Sequence, residues 1–307
     1  MPETSSDRSP PSASVYDLFT IRPGSDLVSP LGKPSDFIDA PTLHNHFSKY
    51  QEVHHPAHFA QNDLFEIPGV EDREYYFPDS HKDYWLSGLT DYLRIREYLL
   101  RLDFDWDRPQ SVFDFGCSSG RVLRHFASHA PQFNLTAADI NSNHIEWIDQ
   151  YIGQNVTAFQ CMNLPHLPLE DQSMDLIYAF SVFTHIDEME TAWLLELKRL
   201  LRPGGIAWLS IQSEKTWQLL EDPNHFMFEH LKFNEHKLPG ISIEPAFFAA
   251  GMPAHRYVFR FSGETIYNTC VFHHSDYLRK KWGNIFEVVE IIPAGHDWQD
   301  VVVLRKR

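Results

Sequence analysis

The chain has 307 residues, 43% of them hydrophobic and 22% charged, with a formal net charge of −16. That length allows one large or two modest domains with a sizeable core, and the acidic balance disfavours a nucleic-acid partner, which selects for a basic surface. No apolar run approaches the ~20 residues of a membrane helix, and no membrane partner is expected. The N-terminus lacks the basic start and apolar stretch of a secretory signal. Three scattered cysteines (Cys117, Cys161, Cys270) suit reduced thiols rather than a disulfide framework. The expected location is the cytoplasm.

In chain order, residues 1–14 are rich in Pro and Ser and are expected to be a disordered tail. Residues 15–80 carry Pro23, Pro30, Pro34, Pro41, Pro56, Pro68 and Pro78, which interrupt any long helix. Their aromatics and histidines predict an irregular N-terminal arm packed on the main domain. From Lys82 to Leu102 the apolar residues Trp85, Leu89, Tyr92, Ile95 and Leu99 recur at helical spacing. Ser111 to Gln212 alternates strand and helix patterns, which specifies a doubly wound, mostly parallel sheet. After Ser213 the rhythm breaks. Residues 215–256 hold Pro223, Pro239, Pro245 and Pro253 among many Phe and His, and are read as a lid inserted after the fifth strand. Arg256–Phe261 alternates as a strand and Ser275–Trp282 as a helix. Phe286–Ile292 and Asp300–Arg305 look like a closing antiparallel pair. The fold expected for residues 81–307 is thus α/β, with a seven-stranded sheet that ends in a C-terminal antiparallel strand pair.

The most informative stretch is Val112-Phe-Asp-Phe-Gly-Cys-Ser-Ser-Gly-Arg-Val-Leu-Arg-His-Phe126. It begins as a strand, turns sharply at Gly116–Gly120 and resumes with helical spacing. Such a unit brings main-chain N–H groups against a ligand that approaches closely. Asp114, at the strand end, suits a ligand that carries an ammonium better than one that carries a phosphate. The spacing Asp114-x-Gly116-x-Ser118-x-Gly120 is not the dinucleotide fingerprint. A second strand, Phe133 to Ile140, ends at Asp139, where a carboxylate can grip ribose hydroxyls; helix N-capping is the plainer role. Asp175 to Ile186 contains a buried parallel strand, and Leu197-Lys-Arg-Leu-Leu-Arg-Pro-Gly-Gly205 reads as a helix end and a turn into another strand.

These four segments, in this order, resemble the motifs of the class I S-adenosylmethionine-dependent methyltransferases. The turn matches (D/E)-x-G-x-G-x-G with serine in place of the middle glycine, and the Pro-Gly-Gly turn is characteristic of that family. The resemblance covers residues 111–211, about a third of the chain. It implies S-adenosylmethionine as cofactor, with Asp114, Gly116, Ser118 and Gly120 at the methionine part and Asp139 at the ribose. Asn163 stands where the family often has an acid near the adenine amine, and Ser181 is a candidate contact to the methionine moiety. The acceptor implied is a small-molecule hydroxyl or amine, with a sugar or secondary metabolite as first expectation.

His185 is the candidate general base, because it follows the fourth strand at the carboxyl edge, where open α/β sheets bind ligands. The plainer reading of Thr184-His-Ile-Asp187 is a loop whose Thr or Asp caps the next helix. The histidine groups His44-x-His46, His54-His55-x-x-His58 and His273-His274 lack the helical pairing with an acid, or the Cys partners, of a zinc site. The acid pair of metal-dependent O-methyltransferases is missing after the fourth strand, so no metal is expected. Two other classes stay open: a nicotinamide-dependent oxidoreductase, which should show G-x-G-x-x-G, and a non-catalytic partner protein with this fold.

Overall fold

The computed structural model describes residues 56–78, 80–263 and 268–307. The tail at 1–14, most of the arm, and His44, His46, His54 and His55 lie outside the described residues. By its internal contacts the chain divides into two compact units. Of the described residues, the first comprises those up to Arg108 together with Cys117–Leu135 and Asn141–Gln160; the second comprises Pro109–Gly116, Thr136–Ile140 and those from Cys161 onward.

The first unit contains α1 (Pro56–Ala60), α2 (His81–Leu100), α3 (Leu123–His129), α4 (Ser142–Tyr151) and β3 (Val156–Gln160). Helix α2 starts where Ser80 Oγ accepts the Asp83 N–H at 3.0 Å, an N-cap. It buries Trp85, Leu89, Tyr92, Ile95 and Leu99, the stripe expected from the spacing. It ends two residues before Leu102, because Asp103 turns to a φ of 58°. Ahead of it, Asp63 forms a fully buried ion pair with Arg124 (Nε to Oδ2, 2.7 Å) and accepts Trp85 Nε1–H at 2.7 Å. Removing one partner strands a buried charge, a loss of about 3–5 kcal/mol.

Among the described residues the sheet has nine strands, two more than the seven expected. Strand β2 (Asn134–Asp139) has residues in both units. In the second unit the order continues from β2 through β1 (Ser111–Phe115), β4 (Met174–Ala179) and β5 (Leu201–Ser213). The β1–β4 and β4–β5 pairs are parallel. Leu176, Ile177, Tyr178 and Ala179 are wholly buried, as a strand covered on both faces requires.

Strand β5 has thirteen residues and two partners on its far side. Ile206–Ile211 pairs antiparallel with β9 (Gln299–Arg305), and β9 pairs antiparallel with β8 (Glu287–His296), which is the expected closing pair. Only Gln212 and Ser213, at the end of β5, pair with β7 (Thr269–His273), itself antiparallel to β6 (Arg256–Arg260). Between β5 and β6 run α5′s successors in the chain, α6 (Glu214–Leu219), α7 (Phe226–Phe233) and α8 (Pro245–Ala249), where α5 is Glu190–Leu200. Their buried Trp217, Phe228, Leu231 and Phe248, with Leu220 just after α6, form one apolar cluster with Phe259 of β6 and Phe272 of β7. Helix α9 (Ser275–Lys281) then leads to β8. No helix among the described residues is long and apolar enough to cross a membrane.

Candidate functional site

Asp114, Asp139 and Ser181 stand at the carboxyl ends of β1, β2 and β4, three neighbouring strands of the second unit. Asp114 is buried opposite Tyr178 in the β1–β4 register, and Tyr178 Oη donates to its Oδ2 at 2.9 Å. That bond fixes the rotamer of a carboxylate at the strand end. Gly116 follows with φ 77°, and its N–H donates to Ala138 O at 2.8 Å. A Cβ at Gly116 would lie 2.3 Å from Val182 Cγ2, so no other residue fits this turn without displacing Val182.

Along the chain the turn passes into the first unit. Ser118 holds a left-handed φ of 47°. Ser119 Oγ bonds Tyr84 Oη at 3.2 Å. Gly120 has φ 81°, and a Cβ there would meet Ile152 Cδ1 at 2.6 Å. Its carbonyl accepts Arg124 N–H at 3.0 Å and opens α3.

Asp139 is the last residue of β2 and is buried, and its carbonyl accepts Cys161 N–H at 2.9 Å. The N-cap of α4 is Asn141, whose side chain accepts from Asn143 N at 3.0 Å. Asp139 therefore does not cap that helix. Exposed apolar side chains follow both strands here, Ile140 after β2 and Met162 after β3. Asn163 is exposed in the loop after β3.

Ser181 is half-buried with φ 57°, strained for a residue with a Cβ. Its N–H donates to Ser210 Oγ (2.7 Å), and its Oγ accepts from Gln299 Nε2 (2.9 Å). Ser210 Oγ donates to Gln299 Oε1 at 2.6 Å, so β4, β5 and β9 share one polar cluster. Tyr178, Ser210 and Gln299 escaped the sequence reading. The signal was present as polar atoms inside runs otherwise apolar, but only the strand register shows what they face.

His185 is half-buried, and burial lowers its pKa below the ordinary histidine value. Its Nδ1 lies 2.7 Å from Thr269 O. A carbonyl only accepts, so Nδ1 carries the proton and Nε2 is the basic nitrogen of the neutral ring. Thr269 Oγ1 returns a bond to His185 O at 2.6 Å, and Val271 N–H donates to Thr184 O at 2.8 Å. Neither Thr184 nor Asp187 caps α5, whose N-cap Met189 makes no side-chain bond. Thr184 Oγ1 donates to Ser181 O at 2.6 Å, and Asp187 pairs with Arg256 and Arg260.

Buried Glu190 accepts from His273 Nε2 (2.6 Å), Arg256 Nε (2.8 Å), Tyr277 Oη (2.9 Å) and Trp282 Nε1 (3.0 Å). Its pKa falls to about 2: burial opposes this, and the His273 and Trp282 bonds with the Arg256 charge override it. His273 is thus spent on a carboxylate inside the fold. Among the described residues no group of three His, Cys, Asp or Glu side chains is arranged to hold a metal.

An open α/β sheet binds its ligands beyond the carboxyl ends of its strands, the edge at which Asp114 and Asp139 stand. Residues 113–209 match the family described as a methyltransferase domain. The chain is 28% identical over 97 residues to a malonyl-[acyl-carrier protein] O-methyltransferase of Hahella chejuensis, covering 32% of this chain and 34% of that one. It is 27% identical over 124 residues to 24-methylenesterol C-methyltransferase 2 of Arabidopsis thaliana, covering 38% and 33%. The chain spans about a third of the length of these two relatives. A solved SAM-dependent methyltransferase of Methanosarcina mazei aligns with 65% of this chain and 93% of its own at 17% identity and a TM-score of 0.45. The methyltransferase-domain match over residues 113–209 supports a class I S-adenosylmethionine-dependent methyltransferase as its family.

Proposed function

We propose that the chain transfers a methyl group from S-adenosylmethionine to an oxygen or nitrogen nucleophile of a small molecule. The observation that carries this is the set of strand-end carboxylates, Asp114 and Asp139, flanking the Gly116–Gly120 turn inside the matched domain. The cofactor supplies an electrophilic methyl group on a sulfonium. In this reading Asp114 holds the ammonium of its methionine part, Ser118 and Ser181 bound that part, Asp139 takes the ribose hydroxyls, and Asn163 meets the adenine edge. His185, with Nε2 as its basic nitrogen, takes the proton from the acceptor. The segment 215–256 is proposed to select the acceptor. The relatives include an O- and a C-methyltransferase; the choice of oxygen or nitrogen rests on the base, which a hydroxyl or ammonium requires.

Calorimetry of the full chain with S-adenosylmethionine, S-adenosylhomocysteine and NAD is the first test, followed by a screen of hydroxyl and amine acceptors with labelled methyl donor. Binding of the two adenosyl ligands and not of NAD is expected. Tight NAD binding would instead favour the oxidoreductase reading. Turnover should survive exhaustive chelation. Activity that is lost and then restored by magnesium, manganese or zinc would refute metal independence.

A further inference from the structure

Three arginines act on the Tyr84 hydroxyl in the first unit: Arg73, Arg121 and Arg124. Two of them are neutralised by buried aspartates. Arg121 pairs with Asp91 and Arg124 with Asp63, each at 2.7 Å. Arg73 is just as buried, at 1% exposure, yet among the described residues no carboxylate pairs with it. Its Nη1 donates to His81 Nδ1 (3.0 Å) and its Nη2 to Phe77 O (2.7 Å), both neutral acceptors. Its Nε is buried and bonded to nothing. Asp83, the acid in the first turn of α2, makes no ion pair with it.

A buried guanidinium is ordinarily matched by an anion. Burial here holds the Arg73 pKa below the usual guanidinium value. The guanidinium lies 4.9 Å above the Tyr84 ring, and Tyr84 Oη bonds Ser119 of the cofactor turn at 3.2 Å. In the chain just after Arg73, Glu74, Tyr75 and Phe77 all hold left-handed φ values of 50–61° without being glycine. Phe77 supplies the carbonyl that a charged acceptor would displace.

We propose that Arg73 is an anion-binding residue for the carboxylate of a ligand at the Ser118–Gly120 turn. Its unbonded Nε and the remaining terminal hydrogens offer the planar fork that a carboxylate fills. Two ligands can bring that group: the amino-acid part of the cofactor, or an acceptor that is itself a carboxylic acid. This rests on the methyltransferase reading for the identity of the ligand, and on the Arg73 surroundings alone for its charge.

The test uses the full chain, wild type and Arg73→Gln. If the cofactor brings the carboxylate, Arg73→Gln weakens S-adenosylhomocysteine by on the order of 10- to 100-fold and leaves 5′-methylthioadenosine, which lacks the amino-acid part, unchanged. If the acceptor brings it, S-adenosylhomocysteine binds both proteins alike, while malonate raises the melting temperature of the liganded wild type and not of the variant. Either outcome supports the proposal. It is overturned if both adenosyl ligands weaken equally, if neither arm distinguishes the proteins, or if inorganic phosphate and not malonate stabilises the wild type. Should Arg73→Gln not fold, Arg73→Lys keeps the charge, loses the fork and is read by the same arms. Failure of the wild type to bind S-adenosylhomocysteine counts against the methyltransferase reading, and the malonate arm then decides on Arg73 alone.

Discussion

Asp139 and His185 are the residues whose roles can be separated most cleanly in solution. Asp139 does not cap α4, which removes the plainest structural duty for its carboxylate. Asp139→Ala is expected to cost roughly 1–3 kcal/mol of cofactor affinity, the loss of an acceptor for buried hydroxyls. Calorimetry checks this; unchanged affinity in a folded variant would remove Asp139 from the site. For His185, burial lowers the pKa, so the neutral base persists to more acid pH than an ordinary histidine allows. The acid limb of kcat/KM should lie below ~6.5 and vanish in His185→Ala, with kcat down ~10²–10⁴-fold and cofactor affinity nearly constant. A variant that loses stability but keeps its rate would make His185 a loop residue. The same shift bears on folding: protonation disfavours the folded state, so its contribution is present above the ordinary histidine pKa and is lost as pH falls through the lowered one.

At the scale of elements, the β6–β7 hairpin grips the connection from β4 to α5. Thr269 and Val271 of β7 bond residues 184 and 185, and Arg256 and Arg260 of β6 pair with Asp187. Glu190 closes this arrangement with four donors. Glu190→Gln should destabilise the protein by roughly 3–5 kcal/mol, because Arg256 and His273 lose a buried charge partner. Its pKa is depressed to about 2, so its contribution is complete above pH 4.5 and is lost as pH falls toward 2. The difference between thermal melts of wild type and variant should narrow steadily from pH 4.5 toward pH 2. Parallel curves would show that Glu190 contributes nothing through its charge.

For the molecule as a whole, what the sequence disclosed depended on how far apart the interacting parts lie. Periodicity is local, so α2, β1, β2, β4, β5 and the closing pair were readable from single stretches. Strands β3 and β7 were not: each has five residues, and Thr269–His273 is short and buried throughout, so it shows no period. The pairing of β7 with the tip of β5 also joins segments more than fifty residues apart, which no local pattern records. The same distance hid the partners of the site. Asp114 was visible in its motif, whereas Tyr178 beneath it and Gln299 beside Ser181 are fixed only by strand register. Arg73 was invisible for another reason. A sequence shows that an arginine is present and cannot show that, among the described residues, its neighbours leave it without an acid.

The two-partnered edge of β5 has a consequence for the order in which the protein is made. A ribosome delivers β5 early and β9, which covers Ile206–Ile211, only after the whole stretch 214–298 has emerged. For the seconds this takes, a long buried-type strand presents an open edge, the feature most prone to wrong pairing. The hairpin β6–β7 arrives first but shields only Gln212 and Ser213. A chain stopped at Ala294 should therefore be recovered in aggregates or bound to chaperones rather than as a soluble monomer. Recovery of that truncated chain as a monomer that still melts cooperatively would show that β5 guards its own edge.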